Sequence, residues 1–296
     1  NFSGIRIIFD LLMFSVFSGF FTVPLYTFIQ HRGESETLSR VIAGNNIMNA
    51  LFMVGGSVML MGIFAAGLSS VEVFLILAIL NCLVALYIYT VLPEFMWRLV
   101  CVLLTRIIYR YEITGEANIP VSGPAVLTCN HVSFVDWLVI AAAIKRPARF
   151  VMHYSFLNIP IAKYFFKGVK VIPIAGRREV PEMVDQAFDK ISEELRDGSI
   201  VCVFPEGEIT QDGKLTYFRP GIERILERDQ VPVIPLVLKG FWGTFFSRKY
   251  GKAGSKPFLL IKDIFSKVEL DIGEPIAAKE VTAKLLEDYT RTKLAE

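Results

Sequence analysis

Charge is nearly absent from the first third of this chain, and that absence limits what the segment can fold into. Only seven charged side chains precede residue 93: Arg6, Asp10, Arg32, Glu34, Glu36, Arg40 and Glu72. Residues 11–30, 41–71 and 73–93 are three apolar stretches, uncharged but for Glu72 at the border of the last two. A helix needs roughly 20 apolar residues to cross a hydrocarbon core of about 30 Å, so the pattern predicts three membrane spans. Arg32 and Arg40 lie in the first connection, the turn near residues 67–72 has no Lys or Arg, and Arg98, Arg106 and Arg110 follow the third stretch. Positive side chains favour the cytoplasmic side. The expected topology is an N-terminus outside and everything after Pro93 in the cytoplasm.

Asn45 and Asn49 share one face of the second stretch, and Asn46 and Gly55, Gly56 and Gly62 lie nearby. Amides at membrane depth face a partner helix or a wet cavity, and glycines allow close helix approach. Packing among these three helices and packing into a larger bundle both fit. Residues 95–111 combine apolar side chains with Arg98, Arg106 and Arg110, the last two spaced for one helix face. They predict an interfacial helix on anionic lipid, with a short buried helix as the alternative. The expected division is 1–93 in the membrane, 94–112 as a linker helix and 113–296 as a water-facing domain. The chain opens at Asn1 without a signal peptide, which suggests a piece of a longer polypeptide.

Beyond residue 113 the periodicity changes. Short β-branched runs at 125–129, 150–153, 169–174, 200–204 and 231–238 alternate with helical patterns, the clearest at 181–196. Two more strands are expected at 258–261 and 268–272, and a helix at 281–293. Alternation of this kind predicts an α/β layer with a mainly parallel sheet. A net charge of +2 gives no polyanion-binding signature, so no nucleic acid partner is expected. Four scattered cysteines without CxxC spacing read as free thiols rather than a zinc site.

Three motifs carry chemistry. The run NHVSFVD at 130–136 follows a predicted strand and opens an apolar helix. Residues five apart on a regular helix point about 140° away from each other, so His131 and Asp136 meet only if His131 lies in the loop and Asp136 in the first helical turn. One ring nitrogen then binds the carboxylate and the other is left as a general base. No GxSxG nucleophile motif is present, so a substrate hydroxyl would be the nucleophile. The run FPEGEIT at 204–210 follows another strand, where open α/β sheets bind ligands. Glu206, beside Gly207 and near Thr210, could hold a hydroxyl or support the catalytic loop. The strand at 172–174 leads through Ala175-Gly176 to Arg177 and Arg178, whose guanidinium forks suit a phosphate, and Arg219 is a further candidate cation.

Together these motifs resemble the glycerolipid acyltransferase family across roughly residues 113–252. NHxSxxD matches its first motif, FPEG with Thr210 its third, and VPVIPL at 231–236 its fourth; the second departs, with Ala175-Gly176 before the arginines. The resemblance implies an α-helical membrane segment of three spans followed by an α/β acyltransferase domain. It implies transfer of a fatty acyl group to the free hydroxyl of a lysophospholipid. His131 and Asp136 would be catalytic, and Glu206, Gly207, Thr210, Arg177, Arg178 and Arg219 would bind the acceptor. No bound cofactor or metal is expected; the acyl thioester, on coenzyme A or acyl carrier protein, is a co-substrate. The first 92 residues and FWGTFFSR at 241–248 resemble a fusion in which the last helices of a major-facilitator lysophospholipid transporter precede this domain. A bacterial inner membrane with the enzyme on the cytoplasmic face follows from that resemblance. A metal-dependent hydrolase using His131, Asp136 and Glu206, and a transporter fragment with a regulatory soluble part, are the competing readings.

Overall fold

The computed structural model describes residues 2–32, 37–91, 93–158, 166, 168–176, 179–251 and 264–296. The chain folds as two compact units, Asn1–Ala85 and Leu86–Glu296.

Three helices lie in the apolar third: α1 (Phe2–Arg32), α2 (Leu38–Ala65) and α3 (Ser70–Val91). Among the described residues, Leu38–Ala65 and Ser70–Ile88 are long and apolar enough to cross a membrane. Their large apolar side chains face outward, with Phe52 71% and Met53 74% exposed, as befits a surface that meets apolar surroundings rather than water. The second predicted stretch breaks at Gly67, whose φ of +82° turns the chain out of α2. Ser69 and Glu72 open α3: Glu72 Oε2 accepts the Ser69 amide at 2.6 Å and its hydroxyl at 2.8 Å. Asn45 and Asn49 donate to Tyr26 Oη at 3.4 and 3.1 Å. These amides therefore tie α2 to α1.

The second unit takes in the end of α3 from Leu86 and continues with α4 (Pro93–Ile108). The expected helix over 95–111 ends three residues early, because Tyr109 starts β1 (Tyr109–Thr114), which pairs in parallel with β7 (Ser266–Ile272). Tyr109 is buried edge-on against Phe241 at 5.2 Å, and that tertiary contact overrides the helical pattern. Arg106 and Arg110 consequently share no helix face. Cys101 and Thr105 of α4 are buried, Cys101 against Leu138 and Ala142 of α5 (Asp136–Ala143), while Leu103, Leu104 and Ile107 stay exposed. Arg98 Nε donates to the Ile144 carbonyl at 2.8 Å and closes this packing.

The remaining strands are β2 (Ala125–Cys129), β3 (Ala148–His153), β4 (Ile172–Ile174), β5 (Ile200–Val203) and β6 (Val233–Lys239). The sheet runs β1-β7-β6-β2-β5-β3-β4, and every pairing is parallel except β6 with β7. The mainly parallel sheet is thus as expected; residues 258–261, read as a strand, lie outside the described residues. Alternate residues enter two cores. Ala125, Leu127 and Cys129 of β2 pack with Val139, Ile140 and Ala143 of α5. Val126 packs with α6 (Pro181–Arg196), α7 (Gly221–Arg228) and α8 (Ala283–Ala295) through Ile191, Ile225 and Leu286. Helices covering both faces explain why β2 is buried at every position. The chain leaves β2 toward α5 on one face and, after β5, returns through α7 on the other. The crevice between the ends of β2 and β5 is the switch point where open sheets hold ligands.

Candidate active site

His131 follows β2 by two residues. Its Nδ1 lies 2.8 Å from Oδ2 of Asp136, the first residue of α5. Oδ2 also accepts the backbone N–H of Val132 at 2.7 Å and of Ser133 at 2.9 Å, so the carboxylate reaches back and fixes the loop ahead of its own helix. Asp136 is fully buried, whereas the His131 side chain keeps 20% of its surface. An ionised carboxylate only accepts hydrogen bonds, so Nδ1 carries the proton and the Nε2 lone pair is left for a ligand. Asp136 Oδ1 is buried with no donor among the described residues; buried polar atoms left unpaired are few in folded proteins. The imidazole stacks on Phe204, centroids 4.2 Å apart.

The FPEGEIT segment clamps the same residue from the end of β5. Glu206 Oε1 accepts the His131 N–H at 2.6 Å, and the Thr210 N–H donates to the His131 carbonyl at 2.9 Å. Glu206 Oε2 accepts from the amide and the hydroxyl of Thr216 at 2.8 and 2.7 Å. Both carboxylate oxygens of this buried side chain are therefore engaged by protein donors. Burial pushes its carboxyl above the ordinary range, against these bonds and the nearby His131. Thr210 is buried; its hydroxyl donates to the Lys214 carbonyl at 2.8 Å and accepts from Gly213 N at 3.0 Å. Gly207 turns the chain at φ +73°, where an added Cβ would come within 2.9 Å of the Arg219 guanidinium. Arg219 lies over that turn and pairs with Glu208 at 3.5 Å, half exposed. Arg177 and Arg178 lie outside the described residues.

A cavity of about 200 Å³ opens beside His131, lined also by Asn130, Glu206, Thr210, Lys214, Lys239 and Trp242. The sequence reading assigned no role to Asn130, Lys214, Lys239 or Trp242. Asn130 is buried and exchanges two hydrogen bonds with Leu238 of β6, Nδ2 to O at 2.9 Å and N to Oδ1 at 2.8 Å. Its place directly before His131 in the NHxSxxD run was the available signal. The FWGTFFSR segment buttresses the loop from outside: Phe134 N donates to Phe246 O at 3.2 Å, and Ser133 bridges Ser247. Cys129 and Cys202 lie buried beneath the site, and burial raises both thiols. Among the described residues no three His, Cys, Asp or Glu side chains converge as ligands would, and Asp136 and Glu206 spend their engaged oxygens on N–H and O–H donors.

Residues 110–239 match the family model described as acyltransferase. A chloroplastic 1-acyl-sn-glycerol-3-phosphate acyltransferase of Brassica napus is 30% identical over 189 residues, 64% of this chain and 51% of that protein. A 1-acyl-sn-glycerol-3-phosphate acyltransferase of Pseudomonas aeruginosa is 28% identical over 143 residues, 47% of this chain and 54% of that one. The chain thus spans about half the length of these relatives. The crystal structure of the 1-acyl-sn-glycerophosphate (LPA) acyltransferase PlsC from Thermotoga maritima superposes with a TM-score of 0.54 at 19% identity, covering 68% of this chain and 79% of that one, a likeness of fold. The matched segment begins in β1, ends in β6 and contains the switch point with His131, Asp136 and Glu206, so the likeness to acyltransferases falls on the part of the chain that builds this site.

Proposed function

We propose that this protein transfers a fatty acyl group from an acyl thioester to the free hydroxyl of a lysophospholipid, with His131 as general base. The observation that carries the reading is the contact of His131 Nδ1 with buried Asp136 at 2.8 Å, with the ring on the wall of a cavity. His131 Nε2 takes the hydroxyl proton as the oxygen attacks the thioester carbonyl. The new O–acyl bond forms, the C–S bond breaks, and the imidazolium returns the proton to the thiolate. Asp136 holds the tautomer and balances the charge; general-base help of this kind contributes ~10²–10⁴-fold. Glu206, Gly207 and Thr210 act by holding the His131 loop, since their polar atoms are taken up within the protein. The arginines at 177 and 178 are candidates for an acceptor phosphate, with coenzyme A or acyl carrier protein as the carrier of the acyl group.

The test supplies membranes containing the protein with lysophospholipids and acyl-CoA or acyl carrier protein thioesters, and follows phospholipid formation by lipid analysis. Product from the wild type and its loss in His131→Ala support the reading. Undiminished product in that variant overturns the mechanism.

The first unit is proposed as a membrane anchor of three spans, a bacterial inner-membrane segment with the catalytic domain on the cytoplasmic face. Support comes from two long apolar helices with outward-facing side chains and from the distribution of Arg32, Arg40, Arg98, Arg106 and Arg110. Its likeness to the end of a major-facilitator lysophospholipid transporter makes a transport partner on the same polypeptide part of this proposal. Thiol labelling from each side of sealed vesicles, at single cysteines placed at residues 37 and 68, tests the orientation: residue 37 should label from the cytoplasmic side and residue 68 from the other.

A further inference from the structure

Two lysines line the His131 cavity, and nothing described above uses them. The main chain at each is tied to the His131 loop through one intervening residue, Asn130 or Thr210. Lys239 follows Leu238, whose N–H and C=O are both bound by the side chain of Asn130, the residue before His131. Lys214 has its carbonyl bound by the Thr210 hydroxyl and its N–H by Asp212 Oδ1 at 3.0 Å; Thr210 N in turn holds the His131 carbonyl. The backbone supports of both cations are thus fixed relative to the imidazole.

Among the described residues no ion pair commits either ammonium group elsewhere. Glu269 and Glu296 lie near Lys239, but Glu269 is paired with Lys267 at 2.7 Å and Glu296 with Lys293 at 2.8 Å. Asp212 lies near Lys214 and spends Oδ1 on that residue's amide. Among the described residues neither ammonium has a carboxylate in contact. The acid within the cavity wall, Glu206, is buried and bound by three donors. Two lysines without a carboxylate in contact, together with Trp242, among the residues that line one cavity make it complementary to an anion. The indole is fixed as well: it lies so close to Gly213 that a Cβ there would approach its Cε2 to 2.5 Å.

We infer that Lys214 and Lys239 bind a phosphate ester of the substrate that enters the His131 cavity, and so place its reacting end at Nε2. This rests on the acyl-transfer reading. Either substrate could supply the group: the acceptor through its headgroup phosphate, the donor through the phosphate of its pantetheine carrier.

The experiment uses the full chain and four variants, Lys214→Gln, Lys239→Gln, the charge-retaining Lys239→Arg, and His131→Ala. Acceptors are lysophosphatidic acid and phosphate-free monoacylglycerol; donors are acyl-CoA and phosphate-free acyl-N-acetylcysteamine. Loss of one charge-assisted contact should raise KM about 10- to 100-fold for the substrate whose phosphate is held. KM for its phosphate-free analogue should not move, and Lys239→Arg should recover much of the loss. A KM rise confined to lysophosphatidic acid assigns the acceptor, and one confined to acyl-CoA assigns the donor. Equal KM values in wild type and both Gln variants for both phosphate-bearing substrates, with His131→Ala inactive, overturn the inference and leave acyl transfer standing. Inorganic phosphate titrated against tryptophan fluorescence gives a readout without turnover. A response lost in Lys214→Gln and Lys239→Gln, in a protein with no acyl transfer, would keep the anion site and remove the acyl-transfer reading; no response in the wild type removes the anion site.

Discussion

Glu206 grips the main chain of His131: Oε1 accepts its N–H at 2.6 Å, while Oε2 holds Thr216 through two bonds. A carboxylate that the motif alone would allow to reach substrate is thus spent on fixing where the imidazole stands. Glu206→Gln keeps one acceptor oxygen and turns an NH₂ toward donors, either at His131 or at Thr216. Each mismatch leaves a buried donor unpaired, about 1–3 kcal/mol. The variant should lose at least roughly tenfold in kcat through misplacement of the imidazole, measurable with any substrate pair the wild type accepts.

The same residue gives a pH dependence with a definite sign. Burial raises the Glu206 carboxyl above 4.5 in the folded protein. A carboxyl raised on folding favours the fold while protonated. That contribution is complete below 4.5 and is lost as pH climbs through the raised value. Thermal unfolding of wild type and Glu206→Gln, compared from about pH 4 to about pH 7, should show the wild type losing ground to the variant as pH rises.

His131 and Asp136 should separate when both activity and stability are read. The imidazole lies on a cavity wall, so His131→Ala should lower kcat by ~10²–10⁴-fold with little change in the unfolding midpoint. Asp136 is fully buried and receives two amides and the ring. Asp136→Ala should lose activity and also about 1–3 kcal/mol or more of stability, because buried donors are left unpaired.

Asn130→Ala removes both bonds to Leu238 and with them the tie between the His131 loop and β6. A destabilisation of about 1–3 kcal/mol is expected, together with lower kcat/KM, read by denaturant unfolding and steady-state kinetics.

Gly213 has φ +83° and stands against the Trp242 ring. Gly213→Ala should displace the indole and cost on the order of 1–3 kcal/mol. A shift in tryptophan emission, absent when Trp242→Phe is added, would report it.

Much of the architecture was legible in one dimension because it follows from local rules. The strand starting at Ala125 and the helix at 181–196 were read at their observed bounds, since β-branched runs and a Pro start with a Gly198 stop act over a few residues. The His131–Asp136 contact followed from five-residue spacing across a loop–helix junction. Tyr109–Thr114 was not legible as a strand. Its first residues continue the apolar pattern of α4, and only pairing with β7, more than 150 residues away, makes them extended.

The sequence by itself determined the apolar third, the alternation that builds a parallel sheet, and the residues able to act as base and carboxylate partner. Tertiary structure decided what those residues touch. It spends Glu206 on a main-chain amide, lays Arg219 over Gly207, and brings Lys214 and Lys239 to the wall beside His131. Spacing along a chain constrains neighbours within a turn or two. Which distant polar groups share one low-dielectric crevice is set by sheet order, where β5 and β6 flank β2 on either side and carry Glu206, Lys214 and Lys239 to the histidine that follows it.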